Sequence, residues 1–198
     1  MLQAIVNGCI FDGESVHEHK AVLIEGEHIV AVVDPEQVPA DIGASYDLEG
    51  GTLIPGFIDL QVNGGGGVLF TAAPTVDSLR TIGAAHRQYG TTGFLPTLIS
   101  TRFDVMREAV SAVAEAIAIG TPGVLGLHLE GPFLSPERKG VHDAGKFCQL
   151  DQTGLDILTS LQVGSTVVTL APELTSPQMI SRLVEEGVIV CGGHSGAT

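Results

Sequence analysis

The period of the apolar positions changes once along this chain. Over the first fifty or so residues, short stretches of strand-like character at 4–10, 21–25, 28–33 and 52–54 are separated by the turn signals Asp12-Gly13 and Glu25-Gly26-Glu27. They predict a small β-rich unit over residues 1–54. Past Pro55-Gly56, apolar runs at 57–62, 92–98, 123–129, 165–171 and 188–192 alternate with segments of helical period, the mark of parallel β/α units.

Four helices are predicted between those strands. The first spans about 75–89, with Thr75 as N-cap and Gly90 as its stop. The second, about 103–119, sets Met106, Val110, Val113 and Ile117 on one stripe able to cover a sheet. A shorter one falls at 154–161. The fourth opens with Ser176 before Pro177 and packs through Met179, Ile180, Leu183 and Val184 until Gly187.

Strands covered by helices on this plan form either an open doubly wound sheet or a closed barrel, and periodicity alone does not separate the two. The glycines at 64–67 follow the first strand without leading into a helix, so they are no dinucleotide-binding fingerprint. The expected class is therefore α/β: an incomplete TIM-type (β/α)8 barrel, its first five strands lying in residues 55–198, preceded by the β-rich domain.

Composition narrows the partners. The chain has 198 residues, with 44% apolar and 16% charged, as befits a compact fold. Twenty-three acidic against nine basic residues give a formal net charge of -14. That charge argues against nucleic acid and against anionic membrane surfaces, and an anionic small substrate must be met by local donors. Residues 1–10 lack the basic start and long apolar run of a targeting segment, and no stretch reaches membrane-spanning length. Cys9, Cys148 and Cys191 are odd in number and unpaired in spacing, which fits a reducing compartment and hence the cytoplasm. Cys191 is expected to face the helices.

The polar residues at strand ends carry the chemistry. In His128-Leu129-Glu130-Gly131-Pro132, alternation puts His128 and Glu130 on one face, with Glu130 at the rim. Gly192-Gly193-His194-Ser195 ends the fifth strand with an imidazole at the matching height. A carboxylate and a histidine converging there suit zinc or a similar divalent ion, although a hydrogen-bonded histidine without metal satisfies the same spacing. His142, in the loop after Lys139-Gly140, is placed either to complete the ligand set or to touch substrate. Gln61 and Asn63, at the end of the first of these strands, are neutral amides, better as hydrogen-bond partners than as ligands.

Pro55-Gly56-Phe57-Ile58-Asp59, Gln61-Val62-Asn63-Gly64, Phe94-Leu95-Pro96-Thr97-Leu98, His128-Leu129-Glu130-Gly131-Pro132, Leu170-Ala171-Pro172-Glu173 and Gly193-His194-Ser195 occur in the order found in a family of the amidohydrolase superfamily. Along its whole length the chain resembles the N-terminal portion of N-acetylglucosamine-6-phosphate deacetylases. That resemblance implies a metal-dependent amide hydrolase releasing acetate from N-acetylglucosamine 6-phosphate. It implies one divalent ion, zinc first, with iron, manganese or cobalt as alternatives. Glu130 and His194 would be two ligands of that ion, with a third on a strand outside these residues. Gln61 and Asn63 stand where many superfamily members carry the His-x-His pair of a second metal, so the single-metal variety is implied, and both amides are candidate substrate contacts. His142 resembles the histidine that contacts substrate and polarises its carbonyl. The family implies an amino-sugar phosphate as small-molecule partner, a homo-oligomer for the full-length form, and inactivity for the 198 residues alone.

Other readings use the same residues. A different amidohydrolase would act on an acylamino acid or a cyclic amide, although the fourth strand ends Ala171-Pro172-Glu173 without the metal-bridging lysine common there. A glycosidase would pair Glu130 with Glu173 and leave the histidines without work. A non-catalytic binding fragment would keep the site and no turnover.

Overall fold

The computed structural model describes residues 1–197, in two compact units that divide at Gly56/Phe57. The first is a sheet of β1 (Leu2–Phe11), β2 (Val16–Glu25), β3 (His28–Val33), β4 (Ala44–Asp47) and the short β5 (Thr52–Leu53). The order is β3-β2-β1-β4, with β5 also on β1. Asp12-Gly13 and Gly26 do turn the chain between the first three strands, which run antiparallel. The periodicity missed β4, because Ala-Ser-Tyr-Asp is only four residues long, mostly exposed and without a strongly apolar residue to bury. Parallel pairing with β1, Gln3 against Ala44 through Val6 against Asp47, holds it instead.

The second unit is built around a curled sheet in which every pairing is parallel, of order β12-β11-β10-β9-β6. In chain order it comprises β6 (Phe57–Val62), the hairpin strands β7 (Gly64–Gly65) and β8 (Val68–Leu69), α1 (Val76–Arg87), β9 (Thr91–Ile99), α2 (Phe103–Ala118), β10 (Gly126–Glu130), α3 (Gln152–Leu158), β11 (Ser165–Leu170), α4 (Pro177–Glu185) and β12 (Ile189–Gly192). In this unit the predicted strands and helices recur with ends shifted by up to three residues, whereas in the first unit β2 begins at Val16, five residues before the expected start at 21. The caps fall where sequence placed them: Thr75 accepts from the Ser78 amide and Ser176 from the Met179 amide.

The helices cover one face of this sheet. Met106, Val110 and Val113 of α2 are buried against Leu127 and Leu129 of β10 in a single apolar cluster, each side chain contributing roughly 1.5–3 kcal/mol. Val184 departs from the expected α4 stripe and is 57% exposed, because Leu183 alone of that turn is fully buried. The opposite, concave face carries Ile58, Leu60, Leu125, His128, Val167, Thr169 and Ile189 around a cavity of about 450 Å³. Cys191 lines this cavity too, so it faces away from the helices, contrary to the sequence-based expectation; period-two alternation puts it on the same side as Ile189. Among the described residues, no helix is long and apolar enough to cross a membrane.

Candidate functional site

β10 is the centre of the sheet, and all five of its residues are buried. Leu127 and Leu129 enter the apolar cluster under the helices, which leaves His128 and Glu130 on the concave side. His128 is fully engaged below the rim. Its Nδ1 lies 3.0 Å from the Leu60 carbonyl and 3.3 Å from the Thr97 hydroxyl, and its Nε2 lies 2.8 Å from the Thr169 hydroxyl. Burial pushes its pKa below the ordinary 6.5, with the nearby Glu130 charge opposing. This is a neutral, satisfied core histidine.

Glu130 stands at the strand end as predicted, and its two oxygens are used differently. Oε2 accepts from the Gln61 side-chain amide at 3.0 Å. Oε1 faces two imidazoles: Nε2 of His194 at 3.1 Å and Nε2 of His142 at 3.7 Å. The two rings meet edge-on with centroids 4.7 Å apart. One ligand atom from each of Glu130, His142 and His194 falls within 4.8 Å of the others, a grouping suited to a metal ion.

The loop between β10 and α3 brings these rings together. Phe133 and Leu134 are wholly buried and anchor its start. Ser135 then donates its amide to the His194 carbonyl at 3.0 Å, and the His142 amide closes a turn on the Lys139 carbonyl. Gly140, at φ +56°, allows the backbone past the His194 ring, since a Cβ there would sit 3.3 Å from Cε1.

Backbone partners on the far side of each ring distinguish the two histidines. Nδ1 of His194 lies 2.8 Å from the Arg138 carbonyl, an acceptor only, so that nitrogen carries a proton; in the neutral ring the lone pair is then on Nε2, the nitrogen 3.1 Å from Glu130. Nδ1 of His142 receives the Ser100 backbone amide at 3.3 Å, a donor only, with the Ser100 hydroxyl 2.8 Å away. The neutral ring of His142 therefore carries its proton on Nε2. The two rings thus differ in what stands behind them, a carbonyl behind His194 and an amide donor behind His142, although both face one carboxylate. Burial holds the His142 pKa below the ordinary value; Glu130 opposes this and His194 adds to it.

Gln61, Glu130, His142 and His194 thus come together. Asn63 follows β6, half-buried, with its carbonyl taking the Phe70 amide at 2.9 Å. Glu173 is engaged elsewhere, accepting from the Ser195 hydroxyl at 2.6 Å and the Gly196 amide at 2.8 Å, which removes the sequence basis for pairing it with Glu130. Sequence reasoning passed over Ser100. It sits directly after β9, at the same height as the other strand-end polar residues, and that rule would have found it.

With the geometry in place, comparison with known proteins gives one direction. A family profile described as "NagA composite domain" matches residues 2–53. The N-acetylgalactosamine-6-phosphate deacetylase of Shewanella sp. (strain ANA-3) is 45% identical over 152 residues, 77% of this chain and 39% of that protein. The N-acetylglucosamine-6-phosphate deacetylase of Haemophilus influenzae is 36% identical over all 198 residues, 52% of that protein. The crystal structure of N-acetylglucosamine-6-phosphate deacetylase from Pasteurella multocida superposes with a TM-score of 0.95 at 37% identity, covering 100% of this chain and 52% of that one. The chain spans about half the length, or less, of these relatives.

Proposed function

Because the chain matches the N-terminal half of N-acetylglucosamine-6-phosphate deacetylases along its whole length, we propose that it supplies the metal-holding side of a site that hydrolyses the N-acetyl group of N-acetylglucosamine 6-phosphate to the free amine and acetate. In this reading residues 1–54 form part of a small accompanying domain, and residues 55–198 give the first five strands of a (β/α)8 barrel. The remaining strands and a further ligand come from outside these residues.

One observation carries the proposal: Nε2 of His194 and Oε1 of Glu130 face each other at 3.1 Å, with Nδ1 of His194 pinned on a carbonyl. A buried carboxylate oxygen and an imidazole nitrogen are donors that zinc favours, and among the described residues no Lys or Arg pairs with Glu130. When bound, the ion lowers the pKa of a coordinated water and polarises the amide carbonyl.

The chain's own residues do the rest. Glu130 offers Oε1 to the ion while Gln61 fixes Oε2. His194 offers Nε2. His142, kept neutral by burial and by the donor behind it, turns Nε2–H toward the space shared with Glu130 and donates to the substrate carbonyl as charge develops there. Gln61 reaches that space from β6, and with Asn63, just past the strand, it is assigned as a secondary substrate contact. Neutral amides at 61 and 63 are in keeping with a single ion.

The Shewanella match favours a second reading within the same chemistry, the galactosamine epimer. Acetate release from both sugar phosphates separates the two, measured on the 198 residues joined to the C-terminal half of the Haemophilus influenzae relative. Preference for one epimer decides. Failure to hydrolyse either, with zinc bound one to one, would defeat the deacetylase reading.

A further inference from the structure

We propose that Glu173 is a positioning residue for His194, acting through the loop that follows it. Only the functional meaning of this inference rests on the metal-centre reading above; the geometry stands by itself.

His194 adopts φ +49°, the left-handed region that residues other than glycine seldom enter. Such a conformation persists where the surroundings over-determine it. On the near side, the Gly193 amide is tied to the Leu170 carbonyl and the His194 carbonyl to the Ser135 amide, both at 3.0 Å. On the far side, among the described residues, the tie from another element comes from Glu173. Its Oε2 accepts from Ser195 Oγ at 2.6 Å, its Oε1 from the Gly196 amide at 2.8 Å, and the Ala197 amide closes back on Ser195 Oγ at 2.9 Å.

Glu173 is itself well seated. It lies in the short turn Pro172–Leu174 after β11, where the Leu174 amide bonds the Ala171 carbonyl and the Leu174 carbonyl takes the Leu150 amide. A charged carboxylate accepting two bonds is a stronger clamp than a neutral acceptor. The same two bonds hold the Glu173 carboxyl below its ordinary range, as expected of an ionised clamp.

The clamp matters because of where His194 sits. His194 lies past the end of β12, beyond the last residue that β12 pairs with β11. If the residue relaxed to an extended backbone, the ring would swing away from both the Arg138 carbonyl and Glu130. Glu173 touches neither ring nor carboxylate, yet it restrains the segment whose relaxation would separate them.

The test uses the 198-residue chain labelled with ¹⁵N-histidine, as wild type, Glu173→Ala and Glu173→Gln. Without metal, nitrogen-resolved NMR reads whether His194 keeps its proton on Nδ1 and how fast that proton exchanges. With zinc, calorimetry reads affinity. We expect a slowly exchanging Nδ1 proton in wild type. In Glu173→Ala it should exchange rapidly with the ring averaged between tautomers, and zinc affinity should fall roughly 10–100-fold, as for loss of an outer partner of a ligand. Glu173→Gln keeps an acceptor for the Gly196 amide and a donor for Ser195, and should fall between. His194 ring signals and zinc affinity in Glu173→Ala equal to wild type would overturn the proposal. If Glu173→Ala does not fold, the ring signal of Glu173→Gln decides: equality with wild type counts against the clamp. Absence of zinc uptake by wild type joined to the C-terminal half of the Haemophilus influenzae relative, which brings the further ligand, would sink the metal centre, while the ring proton still answers for Glu173.

Discussion

Gln61 reaches across from β6 and donates its side-chain amide to Oε2 of Glu130 at 3.0 Å, leaving Oε1 to the histidines. One oxygen of the carboxylate is therefore held by an amide while the other faces both imidazoles. The amide on β6 is as much part of the proposed metal site as a substrate contact.

Replacing Gln61 with leucine should free Oε2 and let the carboxylate rotate. Zinc affinity is expected to drop roughly 10–100-fold with little change in thermal midpoint. Calorimetric titration checks this, and unchanged affinity would mean that Gln61 serves substrate alone.

The opposed backbone partners of the two rings predict unequal mutants. His194→Ala and Glu130→Ala should abolish tight zinc uptake. His142→Ala should leave it within a few-fold, because a ring protonated on Nε2 has no lone pair to give. Equal losses in all three would show that His142 turns over and joins the ligand set.

Gly131 follows Glu130 at φ +88°, and a Cβ there would meet Ser100 Oγ, the group beside Nδ1 of His142. Gly131→Ala is expected to destabilise the fold by about 1–3 kcal/mol, from strain and overpacking. It should also displace the His142 ring, read as a changed nitrogen shift. A melt identical to wild type would argue that this turn is looser than drawn.

Burial lowers the pKa of His128, so the folded state binds its proton less readily than the unfolded chain does. The stabilisation this gives is complete above the unfolded value near 6.5 and is lost as pH falls below it toward the depressed folded value. Denaturant midpoints should accordingly fall between pH 7 and pH 5. The fall should be shallower in His128→Asn, which removes one of the two buried histidines contributing in this direction, the other being His142. A wild-type midpoint independent of pH would contradict the neutral core histidine.

Much of this was legible beforehand because strand and helix periods are local. The helix stripe at 106, 110 and 113, the caps at Thr75 and Ser176, and the shared face of His128 and Glu130 all follow from spacing within a few residues. What escaped depends on contacts between distant segments. β4 exists through its pairing with β1, and the face of Cys191 is set by the register of β12 on β11. The division of labour between His142 and His194 depends on a Ser100 amide 42 residues away and an Arg138 carbonyl 56 residues away. No periodicity reports which lone pair a histidine is left with.

The two groups that face each other at 3.1 Å ride on unequal supports. Glu130 ends the middle strand, paired on both sides and buried, whereas His194 follows β12 in a loop, at φ +49° and tied by hydrogen bonds to Ser135 and Arg138. Opening such a loop costs less than opening the centre of a sheet, so amide exchange should be slow around 127–130 and faster around 193–196. The lifetime of the paired arrangement is then set by the loop that carries the imidazole, long before the strand that carries the carboxylate gives way.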